Sequence, residues 1–333
     1  SMKAPLIAAL VVALAPAQAL AWGSMGHRIV GESAMQALPD EIPAFLRNPT
    51  AVRDVGELSR EQDRSKGAGR IHDHNRDAGH FLDLDEAGKL LGGPSFLPLP
   101  STRADYEKGL QAAGLDSWKA GYLPYSIIDQ HQQLTKDFAY WRAVKAAAAR
   151  EKNPQRLAWL KRDQVRREAQ ILQTIGALSH FVGDGTQPLH VTVHYNGWGE
   201  FSNPKGYTTA RVHGPFESEF VFNNVKPAAV RAQMSPLKPT DGAIEKRTVE
   251  YLSSTATEVI PFYELEKAGG LTPGDTRGIA FATQQLAIGA SELRDMIVSA
   301  WRGSANATVG WPVVRVQDVL AGKDPYDNLY GKD

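Results

Sequence analysis

Apolar residues recur at helical spacing along most of the chain. Val30, Ala34, Ala37 and Leu38 share one face until Pro39 ends the run, and 122–144 repeats the pattern with Ile127, Leu134, Phe138 and Trp141. A third amphipathic stretch covers about 157–182, and a fourth covers 243–265. A fifth carries Ile279, Ala282, Leu286, Leu293, Ile297 and Trp301. Alternating segments of strand character are scarce, and the Gly/Pro-rich stretches 88–101 and 192–214 read as loops. This pattern predicts a mainly α, single multi-helix domain over 22–333, with long functional loops and no internal repeat.

Residues 1–21 have a different character. Ser1 precedes the natural-looking start Met2 and reads as a residue left by expression. Lys3 supplies a short positive region, and 6–14 is apolar but too short to span a membrane. Ala19-Leu20-Ala21 fits the small-x-small cleavage rule. The expectation is a signal peptide cut between Ala21 and Trp22, and a periplasmic or secreted product. No later segment reaches the roughly 18 consecutive apolar residues of a spanning helix, so no transmembrane anchor is expected.

Charge and composition narrow the chemistry. Lys+Arg and Asp+Glu both number 37, so no wide basic surface for nucleic acid is expected, although a small local site can still bind a phosphodiester. The Lys/Arg-rich stretch 142–167 is interrupted by Glu151 and Asp163 and reads as a solvated helix face. Cysteine is absent, which excludes disulfides, thiolate zinc fingers, iron–sulfur clusters and a cysteine nucleophile. Any metal must therefore sit on His, Asp, Glu or backbone.

Histidines with carboxylate neighbours are the informative residues. His180 and Asp184 lie four apart near the end of the third amphipathic stretch, so their side chains project from one helix face. Gly185 and Pro188 then stop the helix, and His190 follows a turn later. His213 and Glu217 repeat the four-residue spacing. Either pair alone is more often a hydrogen-bonded surface pair, but two pairs with a bridging histidine make a multinuclear site. Zinc favours imidazole and carboxylate, and a set without thiolate suits a catalytic centre.

Four segments, in order, resemble the ligand segments of the S1/P1 nuclease and zinc-dependent phospholipase C superfamily over most of 22–333. They are Trp22-Gly23-Ser24-Met25-Gly26-His27, Gly79-His80-Phe81-Leu82-Asp83, the run from His180-Phe181-Val182-Gly183-Asp184 through Gly185-Thr186-Gln187-Pro188-Leu189-His190, and His213-Gly214-Pro215-Phe216-Glu217. The resemblance implies a mainly α fold of the phospholipase C/P1 nuclease type that holds three zinc ions and hydrolyses phosphate esters. It assigns one zinc to Asp63, His80, His180 and Asp184, and a second to His190, His213 and Glu217. The third falls to Trp22, His27 and a bridging Asp184. Asp54 is the alternative to Asp63. Trp22 is implied to bind through its free α-amino group and carbonyl oxygen; in an uncleaved chain that nitrogen is a planar amide without donor capacity.

Clustered Zn²⁺ lowers the pKa of water toward ~7 and neutralises charge on phosphoryl oxygens, so no covalent nucleophile is required. Asp63 and Asp184 are the expected catalytic carboxylates. Phe81 and Asp83 are implied as a stacking face and hydrogen-bond partner for a base, with Phe81 as ordinary core the open alternative. Glu217 resembles the phospholipase branch, whereas the step from Trp22 to His27 resembles the nuclease branch. The leading expectation is an exported S1/P1-type endonuclease that cuts single-stranded DNA or RNA to 5′-phosphate products, with 3′-nucleotidase activity as an accompanying option. The alternatives are a phospholipase C acting on phospholipid head groups and a non-enzymatic periplasmic zinc-binding protein. No stable protein partner is expected. His72, His74, His131 and His194 carry no assignment. The segment around His72 and His74 reads as a solvent-facing loop, and Tyr195-Asn196-Gly197-Trp198 lines the cleft or packs as a turn on Trp198.

Overall fold

Side-chain caps set where several helices begin. In the computed structural model, which describes residues 22–332, Asn48 accepts from the Ala51 amide and starts Pro49–Leu58, while Asn153 accepts from the amides of Gln155 and Arg156 and starts Pro154–Asp184. Proline follows each cap, where its missing N–H costs nothing. Asp275 caps Thr276–Ser304 in the same way. We label the helices that carry the argument α1 (Gly23–Gln36), α2 (Pro49–Leu58), α3 (Leu123–Arg150), α4 (Pro154–Asp184) and α5 (Thr276–Ser304). The signal-peptide expectation falls on 1–21, outside the described residues.

The three long helices α3, α4 and α5 pack on one another, with α3 and α4 joined by only three residues as antiparallel neighbours. Every residue from Gly289 to Ala300 of α5 is buried, so this helix runs through the centre of the molecule. α1 lies against α2, α4 and α5. One contiguous apolar core links Trp22 and Ile29 to Leu134, Phe138, Ile175, Leu286 and Ile297. The chain is therefore a mainly helical single domain, as expected. Among the described residues, the two named strands, Thr308–Val309 and Val314–Arg315, form one small antiparallel pair. No helix there is long and apolar enough to cross a membrane.

Two readings need correction. The stretch 243–265 is two helices, Ile244–Ala256 and Val259–Lys267. Pro261 cannot donate to a preceding turn, so the helix restarts just before it and seats the proline in its first turn. The segment around His72 is not a loop but the helix Arg70–Arg76, which buries none of its residues and so leaves no apolar stripe in the sequence. The readings of 88–101 and 192–214 as loops hold, with isolated bridges in each and helix only at the last two residues of the second, His213 and Gly214.

Candidate metal centre

The long helices bring the candidate residues together at one end of α4. Its last turn presents His180 and Asp184, one helical turn apart and both fully buried. α1 contributes His27, and the short 3₁₀ turns Asp77–His80 and Pro188–His190 contribute His80 and His190. His213 and Glu217 enter at the π-helical turn Pro215–Phe220. The approach of α1 to α4 is tight at Gly183, where a Cβ would stand 3.1 Å from Nδ1 of His27 and push against it. Trp22 is buried at the head of α1 in a left-handed conformation, φ 49°, and its indole N–H donates to the Gly183 carbonyl at 2.7 Å.

Three sets of side chains have ligand atoms that all lie within 4.8 Å of one another: His27, His180 and Asp184; Asp63, His80 and His180; and His190, His213 and Glu217. These groups can hold metal ions. Asp184 joins the first two sets, since Oδ2 is 3.0 Å from His80 Nδ1 and 3.2 Å from His180 Nε2 while Oδ1 is 3.3 Å from His27 Nε2. Asp63 stands 3.7 Å from His180 and 3.9 Å from both His80 and His27. Asp54, the alternative, is exposed on α2 and belongs to none of the three sets.

Hydrogen bonds around the rim fix which ring nitrogens face inward. Nδ1 of His180 lies 2.8 Å from the Ser59 carbonyl, that of His190 2.5 Å from the His80 carbonyl, and that of His213 2.7 Å from the Tyr195 carbonyl. A carbonyl only accepts, so each Nδ1 carries the proton and each Nε2 is the inward atom. His190 and His213 then face each other, Nε2 to Nε2, at 3.1 Å, with Glu217 Oε2 2.7 Å from His213. Two lone pairs beside a carboxylate repel, and only a shared proton or a cation relieves them. Both nitrogens of His27, Oδ1 of Asp184 and Oε1 of Glu217 are buried without a geometrically sound hydrogen bond, which is costly for an apoprotein and ordinary for ligands.

The electrostatics agree with this chemistry. Burial drives His190 down to about 3, and burial with the Lys66 charge drives His80 down to about 4, so both are neutral imidazoles ready to donate. Burial opposes ionisation of Asp184, but the His180 charge and hydrogen bonds outweigh it and hold the carboxyl well below its usual range. Burial raises Glu217, and Glu217 raises His213 against the opposing effect of burial. The 2.7 Å contact between the two is the place for a shared proton, which a metal bound there would displace.

A cavity of about 1010 Å³ opens onto His80, His190 and His213 and is also lined by Phe81 and Asp83. Phe81 is half-buried and Asp83 buried, with the Asp83 carboxyl raised to about 8 by burial. The segment Tyr195–Trp198 does line this cavity. It is pinned by His194, whose Nδ1 accepts from the Gly199 amide while Nε2–H donates to Glu86 and the ring stacks on Trp198 at 3.6 Å.

Some site residues escaped the sequence reading. Lys66 pairs with Asp63 at 2.9 Å and lines the cavity; its place three residues after Asp63 was the available signal. Asn196 accepts from the amides of Val212 and His213, and Gln187 donates to Glu217 at 3.1 Å. Neither supporting contact had any signal in spacing. The remaining unassigned histidines stay outside the three sets: His72 pairs with Asp73, His74 stacks on Trp118, and His131 is on α3. A scan against protein-family models and a search of curated proteins find no match for the chain.

Proposed function

We propose that this chain is an exported zinc-dependent phosphodiesterase of the S1/P1 nuclease type, which hydrolyses single-stranded DNA or RNA and leaves 5′-phosphate ends. The observation that carries the proposal is the convergence of His27, Asp63, His80, His180, Asp184, His190, His213 and Glu217, all buried but the half-buried Asp63, with the inward ring nitrogens of His180, His190 and His213 fixed by carbonyls. An imidazole and carboxylate donor set without thiolate fits zinc; the first two sets share the one inward nitrogen of His180, so a third ion beside His27 would draw on Asp184 and on Trp22, which lies next to that set. Zinc, when bound, supplies Lewis acidity toward phosphoryl oxygens and lowers the pKa of water toward ~7.

The protein's own groups complete the site. Asp63 is held ionised by His180 and Lys66 against the cost of burial, so it accepts a proton from an attacking water and orients it. Lys66 keeps its charge because Asp63 overrides the effect of burial, and it offers that charge to a phosphoryl group entering the cavity. Phe81 provides a face for a base. Asp83, protonated at neutral pH, both donates to and accepts from it.

The test uses chain beginning at Trp22 and loaded with zinc, offered single-stranded DNA, RNA and phosphatidylcholine micelles side by side. Cleavage of nucleic acid to 5′-phosphate ends is expected. Lipid turnover with intact nucleic acid would replace the proposal with a phospholipase C, and bound zinc without turnover would leave a zinc-binding protein.

A further inference from the structure

Trp118 stands apart from the metal ligands, yet it lines the same cavity as Phe81 and Asp83. Its side chain is 43% exposed and faces that cavity. One face of the indole is covered by His74, with ring centroids 4.7 Å apart and planes within 8°. A ring backed in this way and open to a cavity is a ready stacking surface.

The mounting of Trp118 is rigid and tied directly to the other proposed base contacts. Its helical turn, Ser117–Ala120, is capped by Asp116 at the Lys119 amide. The Asp83 amide donates to the Ala120 carbonyl at 2.9 Å, and the Leu123 amide donates to the Phe81 carbonyl at 3.1 Å. Gly121 lies so close that a Cβ there would stand 2.0 Å from the Phe81 oxygen. Tyr106 donates to the Gly121 carbonyl at 2.6 Å. The spacing between Phe81 and Trp118 is thus fixed by backbone bonds rather than left to loop motion. Lys66 and Lys119 line the same cavity and suit the phosphates between two bases.

We propose that Trp118, backed by His74, is a second base-stacking platform, so that the cavity engages at least two nucleotides of one strand. The inference rests on the nuclease reading above. The occupant is a nucleobase of single-stranded nucleic acid, since an aromatic face accepts any base and the neighbouring lysines accept its phosphates.

Binding of a fluorescein-labelled phosphorothioate decanucleotide to zinc-loaded protein, followed by anisotropy, tests it. Trp118→Ala is expected to weaken binding about tenfold and Trp118→Phe to recover most of it. The advantage in kcat/KM of a decanucleotide over a dinucleotide should shrink in step. Zinc content and melting temperature equal to the parent's establish that Trp118→Ala is folded. Parent-like affinity and parent-like length dependence in Trp118→Ala would overturn the platform. If the parent protein neither binds nor cleaves the oligonucleotide, the nuclease reading itself has failed.

Discussion

Asp184 reaches three imidazoles with its two oxygens, at 3.0, 3.2 and 3.3 Å, closer than the 3.7 to 3.9 Å at which Asp63 stands from the same three rings. Asp184→Ala should therefore lose metal from both of the sets it joins, whereas His194→Ala should keep it, because His194 touches the cavity loop and Glu86 instead. Equal zinc content in the two purified variants, measured by elemental analysis, would contradict this assignment. Asp83 gives a second prediction at this scale. Its carboxyl titrates near 3.8 when exposed and at about 8 in the folded chain, raised by burial. Below the lower value both states are protonated; between the two, the unfolded chain ionises while the native one does not, so the residue costs stability progressively as pH rises to about 8. Asp83→Asn removes that titration. Its melting temperature relative to the parent should rise from pH 4 to pH 8 and level off above, and a constant difference would show that the group is not held neutral.

At the scale of elements, the last turn of α4 and the loop 192–214 divide the labour. The helix supplies ligands at fixed spacing, and the loop closes the cavity and presents His213. Asn196 is the hinge of that arrangement, because one side-chain oxygen receives the amides of both Val212 and His213 at 3.2 Å. Removing the acceptor leaves two N–H groups unpaired in a partly buried place and loosens the backbone that carries His213. Asn196→Ala should weaken zinc binding by roughly 10-fold, the lower end of the range for losing an outer support of a ligand. Competition with a fluorescent chelator would read this, and an unchanged zinc affinity would mean that Tyr195 alone holds the imidazole. The neighbouring His194 pin acts on loop position, so His194→Ala is expected to raise KM rather than remove metal.

For the whole molecule, the centre ties together α1, α4, the turn at His80 and the π-helical turn at Glu217, which are far apart in sequence. Metal that binds only this assembled arrangement stabilises the fold in proportion to the logarithm of its free concentration over Kd. Chelation should lower the melting temperature, and zinc should restore it. Chain that starts at Trp22 should bind more zinc than chain retaining Ala21, since only a free amine can donate from that position. Equal stoichiometry would remove Trp22 from the ligand set.

His180 with Asp184, and His213 with Glu217, were legible because both partners of each pair lie within one turn of chain, where spacing fixes which side chains can meet. The long helices were legible for the same reason, as the periodicity of their apolar faces is local. The helix Arg70–Arg76 was not, because it buries nothing and writes no stripe. The resemblance prefers Asp63 to Asp54, and only the fold supplies the spatial ground: the two lie nine positions apart, Asp54 is exposed on α2, and the short helix Glu61–Arg64 brings Asp63 to His180. The same holds for the Ser59, His80 and Tyr195 carbonyls that orient the imidazoles, since a backbone carbonyl has no identity in sequence. Residue type and local spacing thus specified the donor chemistry and the helices; distances between segments, and with them the ring tautomers and the shared cavity, arose only when the core closed.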